Sequence, residues 1–282
     1  IGYNKYIYNT FHPKNYENNS INNDVSKKSG CECDKGTCDL HIKSVSLFPQ
    51  QRIIKDYMQF DSPYRGILLY HELGSGKSAA SIAAAEGYIN RKKIVIMTPA
   101  SLSQNYENEL MKISKTGLNL KKSWTLLKVE KANKEMMKTL NKYAITDKII
   151  KKDGLVWVPL YNKDINGAEI IVEGTKYSKI PSNYKDIVDQ TIVHIIRNRY
   201  TFINYNGLTA KMIKELGDSP FDDTFVIIDE IHNFISRIVN GSRLARTIYN
   251  HMMNANNIKI VLLSGTPIIN QPYEIATLIN LI

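Results

Sequence analysis

The sequence predicts an α/β protein in which a parallel sheet carries helices on both faces. Short, strongly apolar runs alternate with segments of helical periodicity, and the runs end at small, hydroxyl or acidic residues. Examples are residues 93–98, 224–228 and 258–263. A strand that is covered by helices on both faces is apolar at nearly every position. This alternation therefore favours a parallel sheet over an antiparallel one.

Composition is that of a globular protein with a substantial core. Of the 282 residues, 43% are hydrophobic, and the mean hydropathy is -0.29. The length suits one large domain or two small ones. No apolar run approaches the ~18 residues of a membrane span, and no signal-peptide pattern opens the chain, so we expect no membrane association. Since the chain starts at Ile1, we also expect a fragment or a processed form.

Positive charge is concentrated in the middle of the chain. The net charge is +10, and residues 112–152 contain twelve lysines against Glu130, Glu135 and Asp147. Two interpretations stay open: a solvated lysine face, or a surface that meets a polyanion. The lysines that we expect to contribute to such a surface are Lys121, Lys122, Lys128, Lys131, Lys134 and Lys138.

All three cysteines lie in one short segment near the N-terminus. An odd number of cysteines without partners elsewhere argues against a disulfide framework and indicates a reducing compartment. With a nearby histidine they form the pattern C-x-C-x4-C-x2-H, which supplies four possible zinc ligands. These are Cys31, Cys33, Cys38 and His41. The alternative is a loop whose thiols have no metal.

The first part of the chain leads to a glycine-rich turn. Residues 1–45 predict an extended arm, and a helix is expected over 52–59. A short apolar run from Gly66 then reaches Gly74-Ser75-Gly76-Lys77-Ser78, and a helix follows from Ala79. A strand, a glycine turn and a helix start form a phosphate-binding loop, in which Lys77 would reach the β- and γ-phosphates and the Ser78 hydroxyl would bind Mg²⁺. His71 stands where the full pattern has glycine, and a plain tight turn is the alternative interpretation.

The middle of the chain, 117–198, predicts an insertion into the α/β core. A strand over 93–98 and an amphipathic helix over 101–113 precede it. Two runs rich in valine and isoleucine, 155–160 and 169–173, predict a β-hairpin with a long loop. A helix is expected over 184–197, close to the end of the insertion.

The α/β pattern resumes at 200–205 and continues to the end. The apolar run 224–228 is followed directly by Asp229 and Glu230. Ligands of open parallel sheets bind at the carboxyl ends of strands, and two acidic groups there call for a cation. We expect Asp229 to hold Mg²⁺ and Glu230 to orient and deprotonate a water molecule. Ordinary surface acids are the alternative. After the strand 258–263, the hydroxyl residues of Ser264-Gly265-Thr266-Pro267 are suited to sense a phosphate, although this segment taken alone predicts only a turn.

Taken in order, these segments resemble the first motor domain of superfamily 2 helicases and translocases, over about residues 46–282. The motifs are Leu47-Phe48-Pro49-Gln50-Gln51 (with the adenine-reading Gln), His71–Ser78 (motif I), Thr98-Pro99-Ala100-Ser101-Leu102 (Ia), Phe202-Ile203-Asn204-Tyr205 (Ib), Asp229-Glu230-Ile231-His232 (II) and Ser264-Gly265-Thr266-Pro267 (III). Swi/Snf-type members also often lack the first glycine of motif I. The chain is most similar to helicase-like ATPases of large cytoplasmic DNA viruses, including those of the poxvirus early-transcription-factor and nucleoside triphosphate phosphohydrolase type.

The resemblance implies a RecA-like P-loop NTPase fold and ATP hydrolysis with Mg²⁺. It implies ATP binding by Gln51, His71, Glu72, Leu73, Gly74, Ser75, Gly76, Lys77 and Ser78. The implied catalytic residues are Lys77, Asp229, Glu230 and His232, with Ser78 and Asp229 on the metal. Thr98, Pro99, Asn204, Ser264, Gly265 and Thr266 are the residues implied to couple hydrolysis to a nucleic acid. Duplex DNA is favoured over RNA as the track, with viral transcription proteins as partners and the host cytoplasm or the virion as the location. The second motor domain, with its arginine fingers, is expected outside these residues.

Two other classes of function remain as alternatives. A motor-like domain with a silent ATPase could act as a binding module in a transcription complex, although such a domain has no chemical need for Lys77, Ser78, Asp229 and Glu230 together. A P-loop kinase or signalling GTPase is the third reading. The adjacent carboxylates and the later Ser264-Gly265-Thr266 disfavour it.

Overall fold

The computed structural model describes residues 47–70, 76–89, 91–113, 123–129, 134–141, 145, 150, 154–159, 169–266 and 271–282. The strands within these ranges are β1 (Gly66–Tyr70), β2 (Lys93–Thr98), β3 (Ser123–Lys128), β4 (Leu155–Pro159), β5 (Glu169–Lys176), β6 (Tyr200–Asn204), β7 (Thr224–Ile228) and β8 (Lys259–Ser264). The helices are α1 (Pro49–Tyr57), α2 (Lys77–Glu86), α3 (Ala100–Ile113), α4 (Lys134–Asn141), α5 (Ser182–Arg199), α6 (Ala210–Leu216), α7 (Ile231–Val239), α8 (Arg243–Asn254) and α9 (Glu274–Ile279).

A five-stranded parallel sheet forms the centre, in the order β1-β8-β7-β2-β6. Tyr70 is opposite Ser264 in this sheet, and Thr98 is opposite Asn204. Since all five strands run in one direction, their carboxyl ends lie along the same edge. The predicted α/β fold class, a parallel sheet with helices on both faces, is confirmed.

The sheet is apolar on both faces because successive side chains of a strand point in opposite directions. In β2, Ile94 and Ile96 belong to one buried cluster, which includes residues of α1, α2, α3 and α5. Val95 and Met97 belong to a second cluster, which includes residues of α7, α8 and α9. Strands β7 and β8 divide their side chains in the same way. The sheet is therefore covered on both sides, as its continuous apolar runs predict.

A second sheet has three antiparallel strands in the order β4-β3-β5. The predicted β-hairpin of the 155–160 and 169–173 runs is wrong, because both strands pair with β3 and β3 lies between them. Strand β3 comes from the lysine-rich block, where the run Trp124–Leu127 had no strand prediction. The apolar run is short and lies among lysines, so it was not recognised as a strand.

The second sheet packs on the main core with one face. Trp124 and Trp157 belong to the same buried cluster as Ile94 and Ile96 of the central sheet. On the other face, Leu127, Val156 and Val158 form a smaller cluster with residues of α4. Of the residues that the structure describes, none belongs to a helix long and apolar enough to cross a membrane.

Candidate functional site

A cavity of about 280 Å³ lies at the carboxyl end of β7 and the N-terminus of α2. It is lined by Gly76, Lys77, Ser78, Leu102, Asn105, Tyr106, Glu109, Asp229 and Glu230. Residues from the glycine-rich turn and from the acidic pair, far apart in sequence, therefore meet in one place. Residues 71–75, which include the predicted site residues His71, Glu72, Leu73, Gly74 and Ser75, lie outside the described residues.

Gly76 is tied to the first helix. Its φ of 77° lies in the left-handed region that favours glycine, and a Cβ there would collide with the Gln51 side chain. The Gln51 Nε2 group donates to Gly76 O at 3.3 Å, and Gln51 Oε1 accepts a hydrogen bond from the Phe48 N–H at 3.0 Å. Gln51 is therefore buried beside the end of the cavity that the glycine-rich turn forms, and its predicted contact with adenine stays a prediction.

Lys77 and Ser78 open helix α2 at the edge of the cavity. Only 9% of Lys77 is exposed. The first N–H groups of a helix have no partner within the helix, and the aligned peptide dipoles add partial positive charge at this end. Together with the Lys77 ammonium, this arrangement is suited to an anionic, polyphosphate ligand.

Asp229 is an acidic residue whose pKa is raised by its surroundings. Burial, together with the negative charge of Glu230, raises the pKa of the Asp229 carboxyl to about 6, while Lys77 acts in the opposite direction. The Glu230 N–H donates to Asp229 Oδ1 at 3.0 Å. A partly buried carboxylate next to a second carboxylate is costly without a cation. The Asp229 carboxylate and the Ser78 hydroxyl, which line the same cavity, form the hard oxygen donor set that Mg²⁺ prefers.

Glu230 adopts a backbone conformation that is rare for a residue with a side chain. Its φ is 48° and its ψ is 51°, and helix α7 starts at the next residue. A non-glycine residue in the left-handed region costs on the order of 1–3 kcal/mol and persists only where the surroundings hold it. Such strain is often found at functional sites.

His232 joins the acidic pair to the end of β8. Its Nδ1 lies 2.8 Å from Ser264 Oγ, 3.4 Å from Glu230 Oε2 and 3.4 Å from Thr266 Oγ1. Burial lowers the pKa of His232, which favours the neutral ring. Ser264 also donates to Thr266 O at 2.8 Å. Ser264, the last residue of β8, and Thr266 are thus linked to Glu230 through one histidine, and Gly265 lies between them.

Helix α3 supplies four cavity residues, of which only Leu102 belongs to a motif that the sequence identified (Ia). Leu102, Asn105, Tyr106 and Glu109 follow the i, i+3, i+4, i+7 spacing of a single helix face. The Tyr106 hydroxyl lies 2.5 Å from Ser81 Oγ of α2. The amphipathic pattern of 101–113 predicted the helix, but it gave no sign that this face borders a ligand cavity.

A larger polar groove, of about 750 Å³, lies next to the cavity and shares Leu102 with it. The groove is lined by Pro99, Ser101, Leu102, Asn206, Asn233, Ser236, Arg237, Asn240, Gly241 and Ser242. The Arg237 guanidinium donates to Asn206 O at 3.3 Å and to Asn206 Oδ1 at 3.5 Å. Amides, hydroxyls and one cation that face a common groove are suited to a polar, anionic chain.

The predicted coupling residues fall into two places. Thr98 and Asn204 are opposite each other in the sheet beside Pro99, and Ser264–Thr266 lie against His232. Thr98 Oγ1 and Asn204 Oδ1 are buried and have no hydrogen-bond partner among the described residues. Thr98 and Asn204 end two neighbouring strands, and Pro99, which follows Thr98, lines the groove.

Some of the other predicted binding residues lie outside the described ranges. Lys121, Lys122 and Lys131 are outside them, whereas Lys128, Lys134 and Lys138 are exposed, and Lys128 lies 3.8 Å from Glu169. Cys31, Cys33, Cys38 and His41 are also outside. Within the described ranges, no group of three or more His, Cys, Asp or Glu residues could hold a metal, so zinc stays a prediction without support.

Comparison with known proteins finds relatives among viral helicases. A "Putative ATP-dependent RNA helicase" of Acanthamoeba polyphaga mimivirus is 26% identical over 234 residues, which cover 82% of this chain and 32% of the relative. A "Termination factor NPH-I homolog" of African swine fever virus is 25% identical over 222 residues, covering 77% and 22%. The chain thus spans about a third or less of the length of these relatives.

Among solved structures, the Sulfolobus solfataricus SWI2/SNF2 ATPase core in complex with dsDNA is similar, with a TM-score of 0.42 and 16% identity. The match covers 84% of this chain and 36% of that one. The profile of the family described as "Type III restriction enzyme, res subunit" matches residues 45–269, most of the chain. The chain therefore belongs to this family of superfamily 2 helicases.

Proposed function

We propose that this chain is the N-terminal, ATP-binding half of an ATP-dependent nucleic-acid translocase or helicase. The observation that carries the proposal is the convergence of Lys77, Ser78, Asp229 and Glu230 on one cavity. A polyphosphate-binding cation, two metal-binding oxygen groups and a further carboxylate are the parts that NTP hydrolysis needs. No simpler ligand requires all four.

Each of these groups has a separate task in the proposed reaction. Lys77 neutralises charge on the β- and γ-phosphates. Ser78 and Asp229 would hold Mg²⁺, which would supply charge stabilisation for the phosphoryl group. Glu230 orients the attacking water and accepts its proton. His232 holds Glu230 and the segment Ser264–Thr266 in one hydrogen-bonded group. Gln51 contacts adenine.

The polar groove is the proposed contact for the nucleic acid. It adjoins the nucleotide cavity through Leu102, and its amides, hydroxyls and Arg237 provide donors for a phosphodiester backbone. The exposed lysines Lys128, Lys134 and Lys138 add sequence-independent attraction. Thr98 and Asn204 are opposite each other at the ends of β2 and β6, and Pro99 lines the groove, so coupling is expected at these residues. Duplex DNA is the favoured track, with RNA as the alternative.

The relatives support a role in viral transcription. The African swine fever virus relative carries the name of a termination factor, and the mimivirus relative that of an RNA helicase. We place the whole protein in the transcription machinery of a virus that replicates in the host cytoplasm. Its second motor domain, outside these residues, supplies arginine fingers to the ATP held here.

The test is steady-state phosphate release from this chain and from the natural full-length protein, each with duplex DNA, single-stranded DNA and RNA. Arginine fingers contribute roughly 10³–10⁵ in turnover, so the chain alone should bind ATP weakly and hydrolyse almost none. The full-length protein should hydrolyse ATP, and one of the nucleic acids should stimulate it. If the full-length protein stays silent with every nucleic acid, the chain is the binding module instead. Strong stimulated hydrolysis by this chain alone contradicts its assignment as half of a motor.

A further inference from the structure

Tyr205, the residue directly after β6, is completely buried and holds the backbone of the acidic pair. Its hydroxyl lies 2.9 Å from Asp229 O and 3.1 Å from Glu230 O, so it donates to both carbonyls. The ring packs against Phe234 of α7, with 5.5 Å between the ring centroids. Both ends of the side chain are therefore fixed against the segment that begins at Asp229. The residues that line the nucleotide cavity do not include Tyr205, so any effect on hydrolysis is indirect.

The residue that Tyr205 holds is the strained one. Glu230 has a φ of 48°, and this conformation turns the chain from β7 into α7. The two carbonyl acceptors belong to the peptide groups on either side of the strained Glu230 Cα. A buried donor that binds both carbonyls stabilises the left-handed turn directly, since each peptide plane would have to rotate away from it for Glu230 to relax.

The Tyr205 hydroxyl is suited to a constant role as donor. Burial, with the negative charges of Asp229 and Glu230, raises its pKa, so the hydroxyl keeps its proton throughout the physiological range. The Asn233 side chain, which lines the polar groove, also hydrogen-bonds with Tyr205. The next residue, Asn206, accepts from Arg237. Tyr205 thus lies between the groove and the acidic pair.

We propose that Tyr205 is a positioning residue for Glu230: its hydroxyl keeps residue 230 in the left-handed conformation in which the carboxylate lines the nucleotide cavity. The inference rests on the proposed function, in which Glu230 acts on the attacking water. It adds that Tyr205, in the motif Ib segment, determines the orientation of this base. Loss of the hydroxyl removes the support without removing the carboxylate.

The test compares Tyr205→Phe with Tyr200→Phe in the natural full-length protein. Tyr200 lies at the other end of β6, is equally buried and donates to Glu86 Oε1 at 2.9 Å. The two variants therefore lose the same group from the two ends of one strand. A misplaced catalytic group costs up to roughly 10²-fold, so Y205F should lower kcat about 10- to 100-fold with KM for ATP within about twofold. Y200F should keep kcat within about twofold of wild type.

Two further measurements separate positioning from general damage. In a Glu230→Gln background, Y205F should reduce the residual turnover by less than about twofold, because the group that it positions is already lost. Crystal structures of wild type and Y205F should differ at residue 230, with φ leaving the left-handed region in the variant. This second readout needs no hydrolysis, so it tests the inference even if the protein proves to be a silent binding module.

Several results would overturn the inference. These are a Y205F kcat equal to that of Y200F, a kcat loss that follows the unfolded fraction in both variants, or an unchanged φ at residue 230. Failure of the proposed function has a different signature, since wild type itself would then fail to release phosphate.

Discussion

The nucleotide cavity and the polar groove share Leu102 as a wall and differ in their charge. Lys77, Glu109, Asp229 and Glu230 give the cavity both signs of charge within a small, partly buried space. The groove is larger and is lined by amides and hydroxyls, and Arg237 is the charged residue among those described there. Charge is thus concentrated in the cavity that we propose for ATP hydrolysis. Neutral donors line the groove that we propose for the nucleic acid.

The largest expected effect is on kcat and follows from a substitution in the cavity. Glu230→Gln should lower kcat of the full-length protein by roughly 10²–10⁴, the usual contribution of a general base, because the amide cannot accept the proton. Nucleotide affinity should remain. Glu215→Gln is the matched control, since Glu215 is exposed on α6. Turnover of the Glu230 variant at the wild-type rate would show that another residue is the base.

The next effect is on binding and also belongs to the cavity. Lys77→Ala should weaken Mg·ATP binding by about 10²-fold, since hydrogen bonds to charged groups contribute about 1.5–3 kcal/mol. A fluorescent ATP analogue titrated into this chain gives the affinity. Lys93→Ala, at the opposite end of the sheet and exposed, serves as control. Equal affinities for the two variants would move the phosphate site away from α2.

A substitution in the groove should change the affinity for nucleic acid. Arg237→Ala should weaken nucleic-acid binding about tenfold and lower the salt slope by about one, because one phosphate contact is lost. Fluorescence anisotropy at several salt concentrations measures both. Arg246→Ala, exposed on α8 and outside the groove, is the control. If Arg246→Ala gave the larger loss, the nucleic acid would lie on another face.

The smallest expected effect is on the thermal stability of the metal-free protein, and it concerns Asp229. In the folded protein its pKa is raised from 3.8 to about 6, so ionised Asp229 destabilises the fold above about pH 6, and the penalty fades as the pH falls toward 4. Without metal at about pH 8, Asp229→Asn should raise Tm by about 2–4 °C, the shift for about 1 kcal/mol.

The Asp229→Asn gain should shrink at about pH 5, where the wild-type carboxyl is protonated. Asp218→Asn, on the surface, should leave Tm unchanged within about 1 °C. A lower Tm for Asp229→Asn at the higher pH would show that the carboxylate stabilises the metal-free fold.

Several residues of the cavity were predictable because they follow predicted strands, and the end of a strand determines where the next residues lie. Lys77, Ser78, Asp229 and Glu230 each follow an apolar run, and the carboxyl ends of parallel strands share one edge. Local sequence was sufficient for these residues.

Other features depend on pairing and packing that no local pattern encodes. Strand β3 lies between β4 and β5, yet its short apolar run was hidden among lysines, and adjacency in sequence favoured a hairpin. The contribution of α3 to the cavity depends on which face turns toward α2. Tyr205 was visible in motif Ib, but its two carbonyl partners became clear only from the fold.

The two tryptophans of the second sheet have a consequence for how the molecule unfolds. Trp124 and Trp157 are buried in the same cluster as Ile94 and Ile96, so removing the second sheet would open the central core to water. Regions that share buried apolar surface exchange their amide hydrogens together rather than one after the other. We therefore expect the slowest-exchanging amides of β3 and β4 to match those of β2 and β7, and the domain to melt in one transition.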